Sequence, residues 1–166
     1  MTITHTRALG LWAAILALVA DQGSKLALLY GAGFRHMPPD QRIRVLPFFD
    51  LVMTWNPGIS YGLFPVSGTG TAMLIAVVVA IIALLAWWLW HTDSPVVALG
   101  CGLVIGGGIG NNLIDRVIYG KVADFFYFHA FGSGWYVFNI ADVAVTLGAV
   151  AFIYDVLKPS ESSKNA

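Results

Sequence analysis

Two aspartates stand where carboxylates are expensive. Asp124 lies in the run Val122-Ala123-Asp124-Phe125-Phe126-Tyr127-Phe128, an apolar and aromatic setting that favours its neutral form. Asp142 lies near the start of the last long apolar stretch, three residues after Asn139. A carboxylate at such a depth needs a partner or a task. Two carboxylates that share a site cannot both ionise cheaply. One keeps its proton and serves as acid, while the other activates water. Such a pair can hydrolyse a peptide bond without a metal ion or a nucleophilic serine.

Further polar residues recur at helical spacing. Asn112 and Arg116 are four apart, with Asp115 beside them. A guanidinium there can hold a carboxylate or a backbone carbonyl through its fork of donors, and Asp115 can simply sit at the membrane interface. Asp21 and Lys25 are also four apart and share a helix face. They form either a neutralising ion pair near a helix end or a contact to substrate or loop. Asn139 suits an N-cap. Asp142, about one turn inside a helix that starts at Val137, reads as too deep to cap it. His5, His36, His91 and His129 show no ligand spacing. No Gly-x-Ser-x-Gly or Ser/Lys dyad stands out. Cys101 is the single cysteine and excludes an internal disulfide.

The elements that must position these residues are membrane helices. The chain of 166 residues is 58% hydrophobic and 11% charged, against about 25% charged for a soluble domain. A formal net charge of zero gives no pull toward nucleic acid. Four stretches reach spanning length, about 20 residues. They are residues 8–30, 71–90, 96–114 and 137–157, which puts both termini on one side. The first has the charge and apolar core of a signal peptide, but Leu18 occupies a position where cleavage wants a small residue. It reads as an uncleaved span. Trp87, Trp88 and Trp90 mark a headgroup layer, and His91-Thr92-Asp93-Ser94-Pro95 is a tight turn. Gly102, Gly106 and Gly110 form a small-residue face for close helix approach.

Residues 31–70 are not a spanning helix. Arg42-Ile43-Arg44-Val45 alternates, Leu51–Trp55 is rich in strand formers, and Pro47 and Asn56-Pro57-Gly58 punctuate them. A small β-element resting on the membrane surface is expected there. Residues 115–136 form a second, aromatic loop on the same side, and residues 158–166 a short polar tail. The positive-inside rule sets Arg7, Lys158 and Lys164 against Arg35, Arg42, Arg44, Arg116 and Lys121. Taken alone, that places the termini outside, although a folded insert weakens the rule. Buried aspartates also serve proton relays in carriers, but the chain is short for a carrier and lacks an internal repeat.

Four blocks in order carry a family resemblance. They are Asp21-Gln22-Gly23-Ser24-Lys25, Asn56-Pro57-Gly58-Ile59-Ser60-Tyr61, Asn112-Leu113-Ile114-Asp115-Arg116 with Gly120-Lys121-Val122-Ala123-Asp124-Phe125, and Phe138-Asn139-Ile140-Ala141-Asp142. On four spans, they resemble the lipoprotein signal peptidases, the type II signal peptidases of bacteria. The resemblance implies a single membrane domain of four helices, all-α apart from a small periplasmic β-cradle between helices 1 and 2. It implies an aspartic endopeptidase that cuts a prolipoprotein before its diacylglyceryl-modified cysteine. Asp124 and Asp142 are then the catalytic pair. Asn112, Arg116 and Asn139 orient dyad and substrate, and Asp21, Lys25 and Asn56 line or brace the site. The implied partners are lipidated prolipoprotein and membrane lipid, for a monomer without cofactor or metal. Both termini would be cytoplasmic and the site would face the periplasm, opposite to the charge count. The family usually has Gly where Asn111 stands, and Phe-Ser where Tyr61 and Gly62 stand.

Overall fold

The computed structural model describes residues 3–38, 41–58 and 68–158. Helix α1, Ile3–Leu26, runs on as a π turn, Ala27–Gly31. After a short 3-10 turn come strands β1, Arg42–Leu46, and β2, Phe49–Asn56. Helix α2 is Thr69–His91. Helix α3, Pro95–Gly108, continues through a π segment, Ile109–Asp115, into α4, Arg116–Tyr119. Strands β3, Val122–Ala130, and β4, Ser133–Gly134, precede helix α5, Ile140–Leu157. Among the described residues, four helical stretches are long and apolar enough to cross a bilayer: Thr4–Gly31, Thr69–His91, Pro95–Tyr119 and Ile140–Leu157. The chain is a multi-pass membrane protein. Tyr61, Gly62 and the tail beyond Lys158 lie outside the described residues.

The third span is the axis of the bundle and packs against all the others. Its burial follows from its glycines. A Cβ on Gly102 would collide with the Gly10 carbonyl of α1, and one on Gly106 with the Ala14 carbonyl. Toward α5, Gly100 and Gly148 face each other's carbonyls, and Gly107 meets the Ala141 carbonyl. Two seams therefore bring α1 and α5 to backbone contact with α3. The outward faces are apolar and exposed, with Trp12, Leu16 and Val19 on α1, Met73, Val77 and Leu84 on α2, and Leu147, Val150 and Ile153 on α5. That is the distribution expected when hydrocarbon is the solvent.

The β-element departs from expectation. Among the described residues, the insert between α1 and α2 supplies only β1 and β2. The sheet has four strands in the order β1-β2-β3-β4, all antiparallel, so the later aromatic loop supplies the other half. Its aromatics are used for pairing: Phe49 lies opposite Phe128, and their rings are 4.9 Å apart. The start of α5 also moves. Phe138 is held extended by a bridge to Phe126, with the Phe138 carbonyl accepting the Phe125 N–H at 3.0 Å and the Phe126 N–H at 2.9 Å. The helix therefore begins at Ile140, not Val137. Asp142 then falls in the first turn, and the reading that it is too deep to cap is corrected. Its side chain accepts the Asn139 N–H at 3.1 Å, and the Asn139 side chain accepts the Asp142 N–H at 3.0 Å. This is a reciprocal capping box.

The glycine seam makes a testable claim. Gly102→Val should destabilise the protein by roughly 1–3 kcal/mol or prevent folding, because the added atoms meet backbone that cannot move aside. Thermal unfolding in detergent reads this, with Gly23→Ala as control, where a Cβ meets nothing within 4 Å.

Candidate functional site

A buried cation organises the floor of the site. Lys25, only 2% exposed, places Nζ 2.8 Å from Asp21 Oδ2 and 2.8 Å from Asp115 Oδ2, both carboxylates being fully buried. Gln22 Nε2 donates to Asp21 Oδ2 at 3.0 Å and Asp115 Oδ1 at 3.1 Å. Asp21 Oδ1 accepts the Ala141 N–H of α5 at 3.0 Å, and Asp115 Oδ2 accepts the Ala123 N–H of β3 at 3.2 Å. Every carboxylate oxygen in the cluster thus has a donor, the condition under which buried charge is tolerated. Of the two readings open for Asp21 and Lys25, the ion pair is the one observed. Asp115 is not an interfacial residue but the second half of the Lys25 site.

The residues next to Asp21 and Asp115 in these bonds lead directly to the two aspartates. Ala141 precedes Asp142, and Ala123 precedes Asp124. The chain turns into β3 at Gly120, whose φ of 71° ends α4 in a left-handed conformation. Asn139 joins the pair. Its Nδ2 donates to Asp124 Oδ1 at 2.6 Å, while its backbone N–H bonds Asp142 Oδ2. Asn56, at the end of β2, donates to the other Asp124 oxygen at 3.3 Å. Its own Oδ1 accepts the Gly58 N–H at 3.0 Å, which folds the Asn-Pro-Gly turn. Arg116 holds that turn: its NH1 reaches the Pro57 carbonyl at 3.5 Å, its NH2 bonds the Gly58 carbonyl, and its Nε donates to Asn112 Oδ1 at 3.2 Å. The guanidinium therefore binds backbone carbonyls, one of the two roles its spacing allowed.

Asp124 and Asp142 line one cavity of about 210 Å³. Asn56, Asn111, Asn112 and Arg116 complete its polar floor, and Leu74, Val78, Val137 and Val145 its apolar walls. Asp21 and Lys25 lie beneath that floor and do not line it. Burial is the main cause that pushes the Asp124 carboxyl up to about 8, and the Asp142 carboxylate adds to it. The amides of Asn56 and Asn139 oppose the rise. The arrangement offers a carboxyl pushed up to about 8 beside a second carboxyl group, both lining one cavity.

Two participants went unrecognised in the sequence. Gln22 bridges the two Lys25 carboxylates, although nothing but its place beside Asp21 signals this. Asn111, read only as a departure from a family glycine, is buried and bonds Lys25, Asn139 and Asp142. On an α-helix, neighbours Asn111 and Asn112 would diverge. The wider i→i+5 turn of Ile109–Asp115 keeps both on the cavity side.

The chain is similar to known proteins over most of its length. A family model described as signal peptidase (SPase) II matches residues 13–158. A lipoprotein signal peptidase of Rhodopseudomonas palustris is 48% identical over 154 residues, covering 90% of this chain and 92% of the relative. One from Nitrobacter hamburgensis is 45% identical over 160 residues, covering 93% and 95%. Among solved structures, a bacterial membrane enzyme determined by the in meso method at 2.3 Å resolution superposes with a TM-score of 0.77. It is 25% identical, with 92% of this chain and 90% of that chain covered.

The Lys25 cluster predicts a stability defect. Lys25→Met leaves Asp21 and Asp115 buried without a counter-charge and should cost about 3–5 kcal/mol. Denaturant or thermal unfolding in detergent measures it. A loss below about 1 kcal/mol, the worth of a surface pair, would contradict the assignment.

Proposed function

The chain belongs to the signal peptidase II family, and from that premise we propose that it cleaves lipid-modified prolipoproteins with Asp124 and Asp142 as its acid–base pair. The observation that carries the reading is their convergence. Two carboxylates from separate elements bond the same residue, Asn139, at the floor of one cavity. In the reaction, one carboxylate takes a proton from water as the water oxygen attacks the scissile carbonyl carbon. The other gives its proton to the carbonyl oxygen, forming a gem-diol. The amide nitrogen then takes the proton held by the first carboxyl as the C–N bond breaks. The second carboxylate recovers its proton from a gem-diol hydroxyl. Asn112, whose Oδ1 faces Arg116, has its amide NH₂ as a donor for the developing oxyanion.

The same cavity suits a substrate anchored in the bilayer. Its apolar walls come from Val137 and from α2 and α5, helices whose outer faces are lipid-exposed. Diacylglyceryl chains can stay in hydrocarbon while the bond before the modified cysteine reaches the polar floor. The sheet then serves as a cradle over the peptide. In this reading the whole chain is one peptidase domain of the bacterial inner membrane and works as a monomer. The sheet and dyad face the periplasm, and both termini face the cytoplasm. In this reading the cations on that side have contacts within the fold, Arg44 Nε lying 3.9 Å from Asp50 Oδ1. Arg35 lies 5.6 Å from the Tyr30 ring centre, Arg42 4.8 Å from Tyr127 and Lys121 4.9 Å from Trp55, and Arg116 binds carbonyls.

Asp124→Asn and Asp142→Asn should each lower cleavage of a lipidated prolipoprotein by roughly 10³-fold or more while leaving the protein folded. Near-normal turnover in either variant sinks the assignment. The unlipidated prolipoprotein should be cut far more slowly. The pH profile follows from the sign of the Asp124 shift. A carboxyl raised to about 8 stays protonated at neutral pH and loses its proton above that value. Cleavage should therefore fall on the alkaline side with an apparent dyad pKa about 8. A flat profile from pH 7 to about pH 10 would contradict the acid role.

A further inference from the structure

The orientation of one amide can be deduced from its neighbours. Asn111 Oδ1 lies 2.6 Å from Lys25 Nζ, and an ammonium has no acceptor. The oxygen must therefore face the lysine, where it also accepts Asn139 Nδ2 at 2.9 Å. That turns Asn111 Nδ2 toward Asp142 Oδ1 at 2.9 Å, and an amide nitrogen only donates. Asp142 Oδ2 already accepts the Asn139 N–H. Both oxygens of Asp142 are thus acceptors from donors that cannot be reversed.

Asp124 also has a fixed amide donor on each oxygen, but one of the two bonds is long. Asn139 Oδ1 accepts the Asp142 N–H, so its Nδ2 must face Asp124 Oδ1. The second Asp124 oxygen accepts only the longer bond of 3.3 Å from Asn56, so it is the more weakly held of the two and the one with capacity to carry a proton into the cavity. We propose that Asn111 is a positioning residue that relays the charge of Lys25 to Asp142, making Asp142 the base and Asp124 the proton-bearing acid. The inference rests on the dyad reading above and divides its roles. Asp142 takes the proton of the attacking water and later gives it to the leaving nitrogen. Asp124 protonates the carbonyl oxygen and recovers its proton from the gem-diol. The charged groups around Asp142 are Lys25 and Asp21 from α1, Asp115 and Arg116 from the third span, and Asp124 from β3. Of the two cations among them, Lys25 is the one that Asn111 connects to the Asp142 carboxylate.

The test uses the full chain in detergent with a lipidated prolipoprotein peptide. Asn111→Asp keeps the size of the side chain and an acceptor for Lys25, but it replaces the donor to Asp142 by an oxygen. It should lower kcat about 100-fold and leave KM within about threefold. Asn111→Ala removes the donor without adding charge. It should lower kcat about tenfold and move the acid limb of the kcat–pH profile up by about one pH unit. A folded Asn111→Asp with kcat within twofold of the unsubstituted protein overturns the proposal, as does an unmoved acid limb in Asn111→Ala. Should both variants fail to fold, infrared spectroscopy decides. The band of a protonated carboxyl at neutral pH should vanish in Asp124→Asn and persist in Asp142→Asn. The reverse pattern overturns the role assignment while leaving the dyad reading intact. Near-normal cleavage by either Asp→Asn variant would instead defeat the dyad reading itself.

Discussion

The rest of the site depends on one ammonium ion that water cannot reach. Lys25 sits between Asp21 and Asp115 in a bundle whose solvent is hydrocarbon. A charge there is tolerable only if it is paired and every lone pair around it finds a donor. Meeting that condition recruits the Ala141 N–H, the Ala123 N–H and the Asn111 amide. The first two stand one residue before Asp142 and Asp124. The arrangement that makes the lysine tolerable therefore places two aspartates side by side.

Close packing is what lets the cluster form. The glycine seams of α3 bring α1 and α5 to backbone distance, so short side chains can bridge three helices. Gly110 continues the seam into the π segment, where an added Cβ would strike the Asp21 carboxylate. Bulkier residues would separate Asp21 from Ala141 and break the link between the first span and the start of the last. The π segment has a matching role, because its wider turn directs Asn111 and Asn112 toward one cavity.

The sheet closes the site from the other side. β2 ends at Asn56 and pairs with β3, which carries Asp124 opposite Thr54. The Asn-Pro-Gly turn that follows is pinned by Arg116 from the third span. The dyad is thus clamped between a membrane bundle and a surface sheet. Its walls remain apolar toward α2 and α5, which under the proposed function suits a lipid-anchored substrate.

The sequence by itself determined the solvent and the inventory. Long uncharged runs are sufficient for four spans, because length and hydropathy are local properties. The cost of charge in hydrocarbon singled out Asp124, Asp142, Asp21, Lys25 and Arg116 for the same reason. Spacing also exposed the glycine face toward α1. The partners of these residues were not legible. Asp115 and Gln22 joined Lys25, Asn111 reached Asp142, and half the sheet came from the aromatic loop, all through contacts between segments far apart in the chain. The start of α5 shifted because Phe138 pairs with Phe126 of β3, a tertiary bond that overrides the local helical pattern. Hydrogen-bond direction is likewise a three-dimensional property. Only when a lysine that cannot accept stands against Asn111 does that amide acquire a single orientation, and the two aspartates become unequal.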